Sequence, residues 1–170
     1  MTPANAHGPR LVLMCGLPAA GKTTLARELA ETYGAVRLSA DEWKLALGID
    51  PFDDQARVRL ETQLLALTHR LLELGTSVIL EWGFWARAER DDLRVLARSL
   101  GAAVEMHFLD APYDELVRRV VERTALGGIP ITAEHMEAYR ARFEPPTPDE
   151  LSLFDPPIVS LNHSTRLTTL

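Results

Sequence analysis

The chain has 170 residues, of which 46% are hydrophobic and 25% are charged, and these proportions are typical of one water-soluble globular domain. Its net charge of −6 disfavours a surface that coats duplex nucleic acid. The single cysteine, Cys15, excludes an intrachain disulfide, and no apolar run is long enough to span a bilayer. We therefore expect a cytoplasmic protein with no membrane partner.

The predicted elements alternate between strands and helices along the chain. Apolar runs predict strands at residues 11–15, 35–39, 77–80 and 103–110, with a further strand at 157–161. Helical spacing of apolar residues predicts helices from Lys22 to Gly34, from the cap Asp53 to Gly75, from about 87 to 100, from Pro112 to the break at 127–130, and from the cap Thr132 to Phe143. Residues 144–157 contain five of the eleven prolines, so we expect an extended wrap there rather than a helix.

These elements indicate an α/β fold with a single domain. We expect a flexible N-terminus at 1–9, a core at 10–143 with a lid around 119–132, and a proline-rich wrap at 144–170 that belongs to the same domain. Alternating strands and helices predict a parallel sheet with helices on both faces. Ligands of such sheets bind beyond the carboxyl ends of the strands, so we expect the chemistry just after residues 15, 39, 80 and 110.

The first strand is followed by GLPAAGKT, residues 16–23, which matches the phosphate-loop pattern G-x-x-x-x-G-K-[ST] between a strand and a helix. Backbone amides and the helix N-terminus of such a loop bind phosphate, and Lys22 would reach the transferred group. The Thr23 hydroxyl is a predicted Mg²⁺ ligand. We therefore predict ATP and Mg²⁺ as cofactors, with a nucleotide site formed by Gly16, Leu17, Pro18, Ala19, Ala20, Gly21, Lys22, Thr23 and Thr24. The alternative is a glycine turn that carries a lysine by chance.

Other motifs that would accompany a phosphate loop are missing from the sequence. It contains no DxxG switch, and its only asparagines, Asn5 and Asn162, are not followed by lysine, so the guanine-reading motif of regulatory GTPases is absent. The third strand ends in one acid, in VILEW, where motor ATPases usually have an acidic pair. These absences favour a small kinase that transfers phosphate to another molecule.

Two carboxylates follow the second and third strands and are candidates for the chemistry. Phosphoryl transfer to a hydroxyl needs a carboxylate near the attacking oxygen, and Asp41 in SADEW is predicted to be this catalytic group. The alternative is that Ser39 or Asp41 only caps a short helix at 41–47, although capping and catalysis are compatible. Glu81 is predicted to bind Mg²⁺ through water or to accept a hydrogen bond from the acceptor hydroxyl, and the alternative is a solvated carboxylate.

Aromatic residues cluster at the same predicted edge of the sheet. Trp43 follows the second strand, and LEWGFWAR, residues 80–87, follows or ends the third. Aromatic residues are more often core than pocket, and we expect Phe84 to be core. The position of the others predicts a wall of the acceptor pocket formed by Trp43, Glu81, Trp82, Trp85 and Arg87.

Arg119 and Arg123 lie four residues apart on one face of the helix that precedes a glycine-rich loop. Arginines on a mobile lid would close over the phosphates and neutralise charge in the transition state, so both are predicted to be catalytic. The alternative is a solvated helix face paired with Asp114 and Glu115. Arg118 lies off that face and is expected to be solvated.

The chain resembles the small bacterial P-loop kinases, a group that includes chloramphenicol phosphotransferase, zeta toxin and the kinase domain of polynucleotide kinase. Four features carry this resemblance: GLPAAGKTT, the aspartate of SADEW, the acid at the third strand and the R-x-x-x-R helix. EWGFW and FEPPTPDE are similar to bacterial members often labelled AAA family ATPase. The resemblance covers about residues 10–150 and implies a P-loop NTPase fold with a five-stranded parallel sheet of order 2-3-1-4-5. It also implies a base role for Asp41 and lid roles for Arg119 and Arg123. The WGFW wall has no counterpart in the named relatives.

The function expected from these features is ATP- and Mg²⁺-dependent transfer of phosphate to a hydroxyl of a small molecule, such as an antibiotic or a nucleoside. A second hypothesis is a polynucleotide 5′-hydroxyl kinase whose tryptophans stack on bases, although the acidic charge and the two lysines weigh against it. A third is a nucleotide-dependent switch or partner-binding protein, for which Asp41 would be dispensable. These motifs do not specify the acceptor, the choice between ATP and GTP, or the oligomeric state.

Overall fold

A computed structural model describes residues 8–158, in which parallel strands form one sheet with helices packed on both faces. The strands of this part of the chain are β1 Arg10–Cys15, β2 Val36–Ser39, β3 Val78–Gly83 and β4 Ala103–Phe108. Its helices are α1 Lys22–Tyr33, α2 Ala40–Ala46, α3 Asp54–Glu73, α4 Arg87–Ser99, α5 Tyr113–Ala125, α6 Ala133–Arg142 and α7 Pro148–Leu151.

The described sheet has four strands in the order β2-β3-β1-β4, with parallel pairing throughout. The expected five-stranded sheet of order 2-3-1-4-5 is therefore wrong for residues 8–158. The predicted last strand at 157–161 lies mostly outside the described residues, as does most of the predicted N-terminal segment at 1–9. The order of the four strands agrees with the first four positions of the expected order.

Alternation within β1 explains why its run of apolar residues forms a central strand. Leu11 and Leu13 face one layer, where they pack with residues of α3 and α4, and Val12 and Met14 face the opposite layer against α1. Solvent is excluded from both faces of β1, because all six residues of the strand are buried. Burial on both sides is typical of the centre of a parallel sheet and leaves only the strand ends for chemistry.

Local signals set the helix ends that surround the site. Gly34 ends α1 in a left-handed conformation with φ of 59°, as its sequence position predicts. The Asp53 side chain accepts a hydrogen bond from the Ala56 amide at 2.8 Å and begins α3. Thr132 begins α6 with a capping box in which the His135 amide donates to the Thr132 hydroxyl at 3.2 Å. These three predicted boundaries are confirmed.

Two predicted segments differ from the structure. The third strand continues to Gly83, so Glu81 lies inside β3 opposite Ser39 of β2 rather than after the strand. The expectation of an extended chain without a helix is wrong for Pro148–Leu151, which form α7. Proline at the first helical position does not disrupt a helix, because the amide it lacks would have no partner there, and the Thr147 hydroxyl accepts from the Glu150 amide at 3.2 Å.

Candidate active site

The phosphate loop connects β1 to α1 and is held by backbone contacts to its neighbours. The Gly16 amide donates to the carbonyl of Gly83 at 3.1 Å. Gly16 has φ of 145°, and a Cβ at this position would lie 2.4 Å from the carbonyl oxygen of Leu109, so only glycine fits. Gly21 precedes α1 with φ of 101°, which turns the loop into the helix. The loop therefore has the glycines that its geometry requires.

Lys22 lies in the first turn of α1 and folds back across the loop. Its ammonium donates to the carbonyls of Gly16 at 2.9 Å and Leu17 at 2.7 Å. Burial lowers the pKa of Lys22 to about 8, and the charges of Asp41 and Glu81 oppose this shift. A phosphate beside Lys22 would also favour the charged ammonium, so phosphate binding and protonation of Lys22 would reinforce each other.

Thr23 and Glu81 lie together beneath the loop. The Thr23 hydroxyl donates a hydrogen bond to the Glu81 carboxylate, whose other oxygen pairs with Arg37. No cluster of three or more histidine, cysteine or acidic side chains able to hold a metal exists among residues 8–158. Mg²⁺ in kinase sites takes most of its oxygens from phosphates and water, so a single hydroxyl with one nearby carboxylate fits this ion.

Asp41 lies in the first turn of α2, and the structure separates it from the capping role. Ser39 caps this helix, because its hydroxyl accepts from the Glu42 amide at 3.5 Å. The Asp41 carboxylate is exposed and pairs with the Lys44 ammonium at 2.9 Å. Lys44 itself is only 5% exposed and also donates to the carbonyl of Pro51 at 3.4 Å. Asp41 is therefore free of the helix cap and is oriented by a buried lysine.

A cleft of about 740 Å³ joins the phosphate loop to Asp41. It brings together most of the predicted site residues, namely Gly16, Pro18, Ala19, Gly21, Lys22, Thr23, Thr24, Asp41, Glu81, Trp82, Trp85 and Arg123. Leu17 and Ala20 are buried beneath the loop in a core cluster with residues of α5 and α6. Trp43, 41% exposed on α2, and Arg87, at the start of α4, lie outside the lining of the cleft.

One side of the cleft is a row of rings that we call the ring wall: Phe52, Trp85, His135 and Tyr139. The ring centroids of Trp85 and Tyr139 are 4.9 Å apart, and those of Phe52 and His135 are 4.6 Å apart with nearly parallel planes. His135 and Tyr139 connect the two pairs at 6.2 Å. The wall begins at the phosphate loop, where the Trp85 indole donates to the Gly16 carbonyl at 3.4 Å.

The cleft also has a charged side, the polar wall, formed by Asp41, Asp54, Arg57, Glu61 and Glu89. Arg57 pairs with Asp54 at 3.2 Å and with Glu61 at 3.3 Å. Burial raises the pKa of Glu89, and the charge of Glu61 adds to this rise. The charges of Asp41 and Asp54 act on Tyr139 of the ring wall, whose pKa is raised first by burial and then by these carboxylates.

The turn that carries Trp85 is fixed by a buried ion pair from the C-terminal segment. The Arg90 guanidinium is 0% exposed and donates to Glu150 at 2.6 and 2.9 Å. It also donates to the carbonyls of Phe84 at 2.9 Å and Trp85 at 3.2 Å. Phe84 is buried, as predicted, and has φ of 46°, a strained conformation that these bonds support.

The two lid arginines of α5 have different surroundings. Arg119 pairs with Glu115 at 2.8 Å, as in the alternative reading of this helix, and also donates to the Ala19 carbonyl of the phosphate loop at 3.4 Å. Arg123 lines the cleft, and among residues 8–158 its side chain has no hydrogen-bond or ion-pair partner. Arg118 is exposed and pairs with Glu115 at 2.7 Å, as expected for a solvated arginine.

The comparisons with known proteins assign the family. The AAA_33 family model, described as an AAA domain, matches residues 11–146, and the chain therefore belongs to this family. No curated protein sequence matches the chain. Its structural neighbours include several proteins named as kinases, which agrees with the resemblance to the small P-loop kinase group.

Three solved structures illustrate this similarity. A chain of the Pnkp1/Rnl/Hen1 RNA repair complex is 24% identical with a TM-score of 0.71. The alignment covers 91% of this chain and 49% of that one, so our chain spans about half the length of the chain in the complex. A sugar kinase from Janibacter sp. HTCC2649 is 26% identical with a TM-score of 0.61, covering 84% of this chain and 82% of that one. Chaetomium thermophilum Kti12, solved with ADP-AlF3, is 22% identical with a TM-score of 0.65 and covers 82% of each chain.

Along residues 8–158, every helix is too short or too polar to cross a membrane.

Several residues of the site were missed in the sequence. Lys44 carried a usable signal, because it is one of two lysines and lies three residues after Asp41, within reach on a helix. His135 and Tyr139 are four apart on α6 and could have been identified as one face of that helix. Arg90 and Glu150 had no local signal, because their contact joins positions 60 residues apart.

Proposed function

We propose that the protein is an ATP- and Mg²⁺-dependent kinase that transfers the γ-phosphate of ATP to a hydroxyl group of a small molecule. The observation that carries this proposal is that Lys22 and Asp41 line one cleft, close enough for the Asp41 charge to act on the Lys22 ammonium. A phosphate loop and an acceptor-side carboxylate in one cleft are the two parts that phosphoryl transfer to a hydroxyl requires. The kinase neighbours of the fold support the same class.

The donor side would work through backbone and charge. The loop amides and the N-terminus of α1 would bind the phosphates, and Lys22 would exchange its contacts with the Gly16 and Leu17 carbonyls for phosphate oxygens. The chemistry that Mg²⁺ supplies in such sites is neutralisation of charge on the β- and γ-phosphates, and Thr23 with Glu81 would hold it. Arg123, with no partner among residues 8–158, would be available to contact the same phosphates on lid closure.

The acceptor side would work through Asp41. The acceptor oxygen attacks the γ-phosphorus, the bond from that phosphorus to the bridging oxygen breaks, and ADP leaves with the electron pair. The proton of the acceptor hydroxyl passes to the Asp41 carboxylate. Lys44 would fix the orientation of this carboxylate through the 2.9 Å ion pair, because the buried ammonium is itself held by the Pro51 carbonyl.

A polynucleotide 5′-hydroxyl kinase is the second candidate, because the ring wall offers stacking surfaces and one structural neighbour belongs to an RNA repair complex. The polar wall weighs against it. Phosphodiester groups that follow the 5′-nucleoside would meet Asp54, Glu61 and Glu89, of which only the first two are paired with Arg57. A small acceptor without phosphates avoids this repulsion.

The test of the proposal is a screen for acceptor-stimulated ADP release with hydroxyl-bearing small molecules and 5′-hydroxyl oligonucleotides. We expect a small hydroxyl compound to raise ADP release above the rate of ATP hydrolysis alone. A partner-binding switch would show the same slow hydrolysis with every compound, and an oligonucleotide as the best acceptor would establish the second candidate.

Asp41→Asn gives the sharper test, because asparagine keeps the shape of the side chain and loses its charge and basicity. Transfer should fall by roughly 10²-fold, the usual scale for loss of a positioned general base. Thermal stabilisation by ATP should remain, because Lys22 and Thr23 are unchanged. Asp53→Asn is the matched control, since asparagine caps α3 as well as aspartate does and this residue lies outside the cleft lining. Near-normal transfer by an Asp41→Asn protein that binds ATP would exclude the base role and favour Glu81.

A further inference from the structure

The ring wall and the polar wall line the same cleft and differ in chemical character, and this contrast restricts what the acceptor can be. The ring wall presents flat apolar surfaces from the phosphate loop at Trp85 to the outer rim at Phe52, which is 41% exposed. The polar wall presents carboxylates and one guanidinium. An acceptor that contacts both walls needs one apolar face for the rings and one edge of hydrogen-bonding groups for the charges.

Simple acceptor classes fail one of these two requirements. Glu61 is paired with Arg57 and Glu89 has a hydrogen bond with Trp82, and both keep acceptor capacity that water can fill. An aromatic alcohol without other polar groups would displace this water and offer no replacement hydrogen bonds, which is costly for partly buried carboxylates. An open-chain polyol has hydroxyls on every side and would place some of them against the rings. A saturated ring with equatorial hydroxyls has C–H faces and a hydroxylated edge, so it satisfies both walls at once.

We propose that the acceptor is a cyclic polyol, neutral or amino-substituted, whose C–H face packs on Tyr139 and Trp85 and whose edge hydrogen bonds to the carboxylates of the polar wall. This assignment depends on the kinase function proposed above and names the class of its acceptor. A hydroxyl donates to a carboxylate, and an ammonium does so with additional charge attraction, so both groups suit Glu61 and Glu89. A carboxylate or phosphate on the acceptor would be repelled there.

The assignment gives α6 a role in recognition. His135, Tyr139 and Arg142 recur at spacings of four and three residues, so they lie on one face of this helix, and all three line the cleft. The His135 ring is fixed in position, because its Nδ1 accepts from the Thr132 amide at 3.1 Å as part of the capping box. The helix therefore presents a preorganised surface to the acceptor, and α6 follows the lid helix directly in the chain.

The experiment measures ADP release with a matched panel: hexopyranosides, amino sugars and aminocyclitols against an open-chain hexitol and an open-chain hexonate. We expect the best cyclic compound to exceed both open-chain compounds by about tenfold or more in kcat/KM, the lower end of the range for discrimination by pocket contacts. The hexonate should be the poorest compound, because it adds a negative charge at the polar wall.

Tyr139→Leu keeps an apolar side chain and removes the ring, so the KM for the cyclic acceptor should rise by up to about tenfold while the Kd for ATP stays the same. Tyr113→Leu is the matched control. Tyr113 lies on α5 outside the cleft lining and stacks with Arg140 at 4.5 Å, so its loss should leave that KM unchanged. Thermal melting of both variants verifies that they fold.

The two proposals fail in distinguishable ways. If an open-chain or anionic acceptor is the best substrate, or if Tyr139→Leu leaves every acceptor KM unchanged, the kinase function stands and the cyclic polyol is wrong. If no hydroxyl compound raises ADP release, the kinase function fails, and the acceptor class is then decided by binding. Binding is measured by titrating the protein with the same panel in the presence of a non-hydrolysable ATP analogue and following tryptophan fluorescence. A fluorescence change that saturates with cyclic compounds only would support the cyclic polyol, and any other result would overturn it.

Discussion

The donor half and the acceptor half of the cleft are built in different ways. The donor half comes mainly from one continuous segment, residues 16–24, to which β3 adds Glu81 and α5 adds Arg123, and it acts mainly through backbone groups and the helix end. The acceptor half collects side chains from α2, α3, α4, α6 and the turn after β3. A continuous segment fixes its own geometry, whereas a surface made from distant segments depends on the tertiary contacts that hold them.

The contacts that hold the acceptor half converge on the turn after β3. Gly83 has φ of 99°, and a Cβ there would lie 2.7 Å from the Trp85 indole nitrogen, so the ring can fold back only over a glycine. The Trp85 carbonyl accepts from the Glu144 amide at 2.9 Å. It also accepts from Arg90, which is itself paired with Glu150, and these contacts brace the turn. The proline-rich segment is thus part of the support of the site.

Removing one member of the buried Arg90–Glu150 pair should have the largest effect and would act on the acceptor half. Glu150→Ala leaves the fully buried guanidinium uncompensated, so the free energy of unfolding should fall by about 3–5 kcal/mol. Urea unfolding measures this, with Asp149→Ala as the control, because Asp149 lies on the same short helix and is exposed.

If Glu150→Ala does not fold, a double variant keeps the idea testable. Arg90→Met with Glu150→Leu replaces the pair by apolar side chains and should recover part of the lost stability, because no buried charge remains. It also removes the donor to the Phe84 and Trp85 carbonyls, so acceptor-dependent ADP release should stay low. A stable Glu150→Ala protein, or a double variant with normal acceptor-dependent ADP release, would contradict the role of the pair as the brace of this turn.

The two lysines of the chain separate the halves directly. Lys22→Met removes a charged donor to the phosphates, and turnover should fall by about 10²–10³-fold with loss of ATP binding. Lys44→Met removes the partner of Asp41 and should lower transfer while thermal stabilisation by ATP remains. Titration of ATP against melting temperature measures the first, and acceptor-dependent ADP release measures the second. Equal loss of ATP binding in both variants would mean that the halves are not separable.

The lid arginines should have a smaller effect that appears in the rate. Arg123→Ala and Arg119→Ala should each lower kcat by about tenfold and change the Kd for ATP less, since a closing lid acts mainly in the transition state. Arg118→Ala is the control and should leave kcat unchanged, because Arg118 lies on the same helix and its partners within residues 8–158 are Glu115 and Glu122. Weaker ATP binding without a change in kcat would assign the arginines to the ground-state nucleotide site.

The same contrast explains what the sequence could predict. The phosphate loop and the helix caps at Asp53 and Thr132 depend on local patterns, and the structure contains all of them. The order of the four described strands was implied by the resemblance to the small P-loop kinases and agrees with the structure. Asp41 and Trp85 were identified because they follow strands whose carboxyl ends share one edge of the sheet. Lys44, which pairs with Asp41, was not identified although it lies only three residues away on a helix. Arg90 and Glu150 were not identified because an ion pair across 60 residues leaves no periodic trace in the sequence. Trp43 also follows a strand, as Trp85 does, but it lies outside the cleft lining, and its place depends on the orientation of α2.

The smallest predicted effect is a pH dependence of the donor half that the acceptor half should not share. Burial lowers the pKa of Lys22 to about 8 in the unliganded protein, and the phosphates of ATP favour its charged form. Below pH 8 the ammonium is mostly charged before ATP arrives, and above pH 8 binding must take up a proton. ATP affinity should therefore fall as the pH rises, by about threefold from pH 7.5 to 8.5, as linkage to one group with this pKa requires.

Isothermal titration with ATP in buffers of different ionisation enthalpy measures both the affinity and the proton uptake. Lys22→Arg is the matched control, because guanidinium stays charged throughout this range. An arginine variant that loses affinity in parallel with the wild-type protein would show that another group causes the change, and a wild-type affinity that stays constant would mean that Lys22 keeps its proton without ATP.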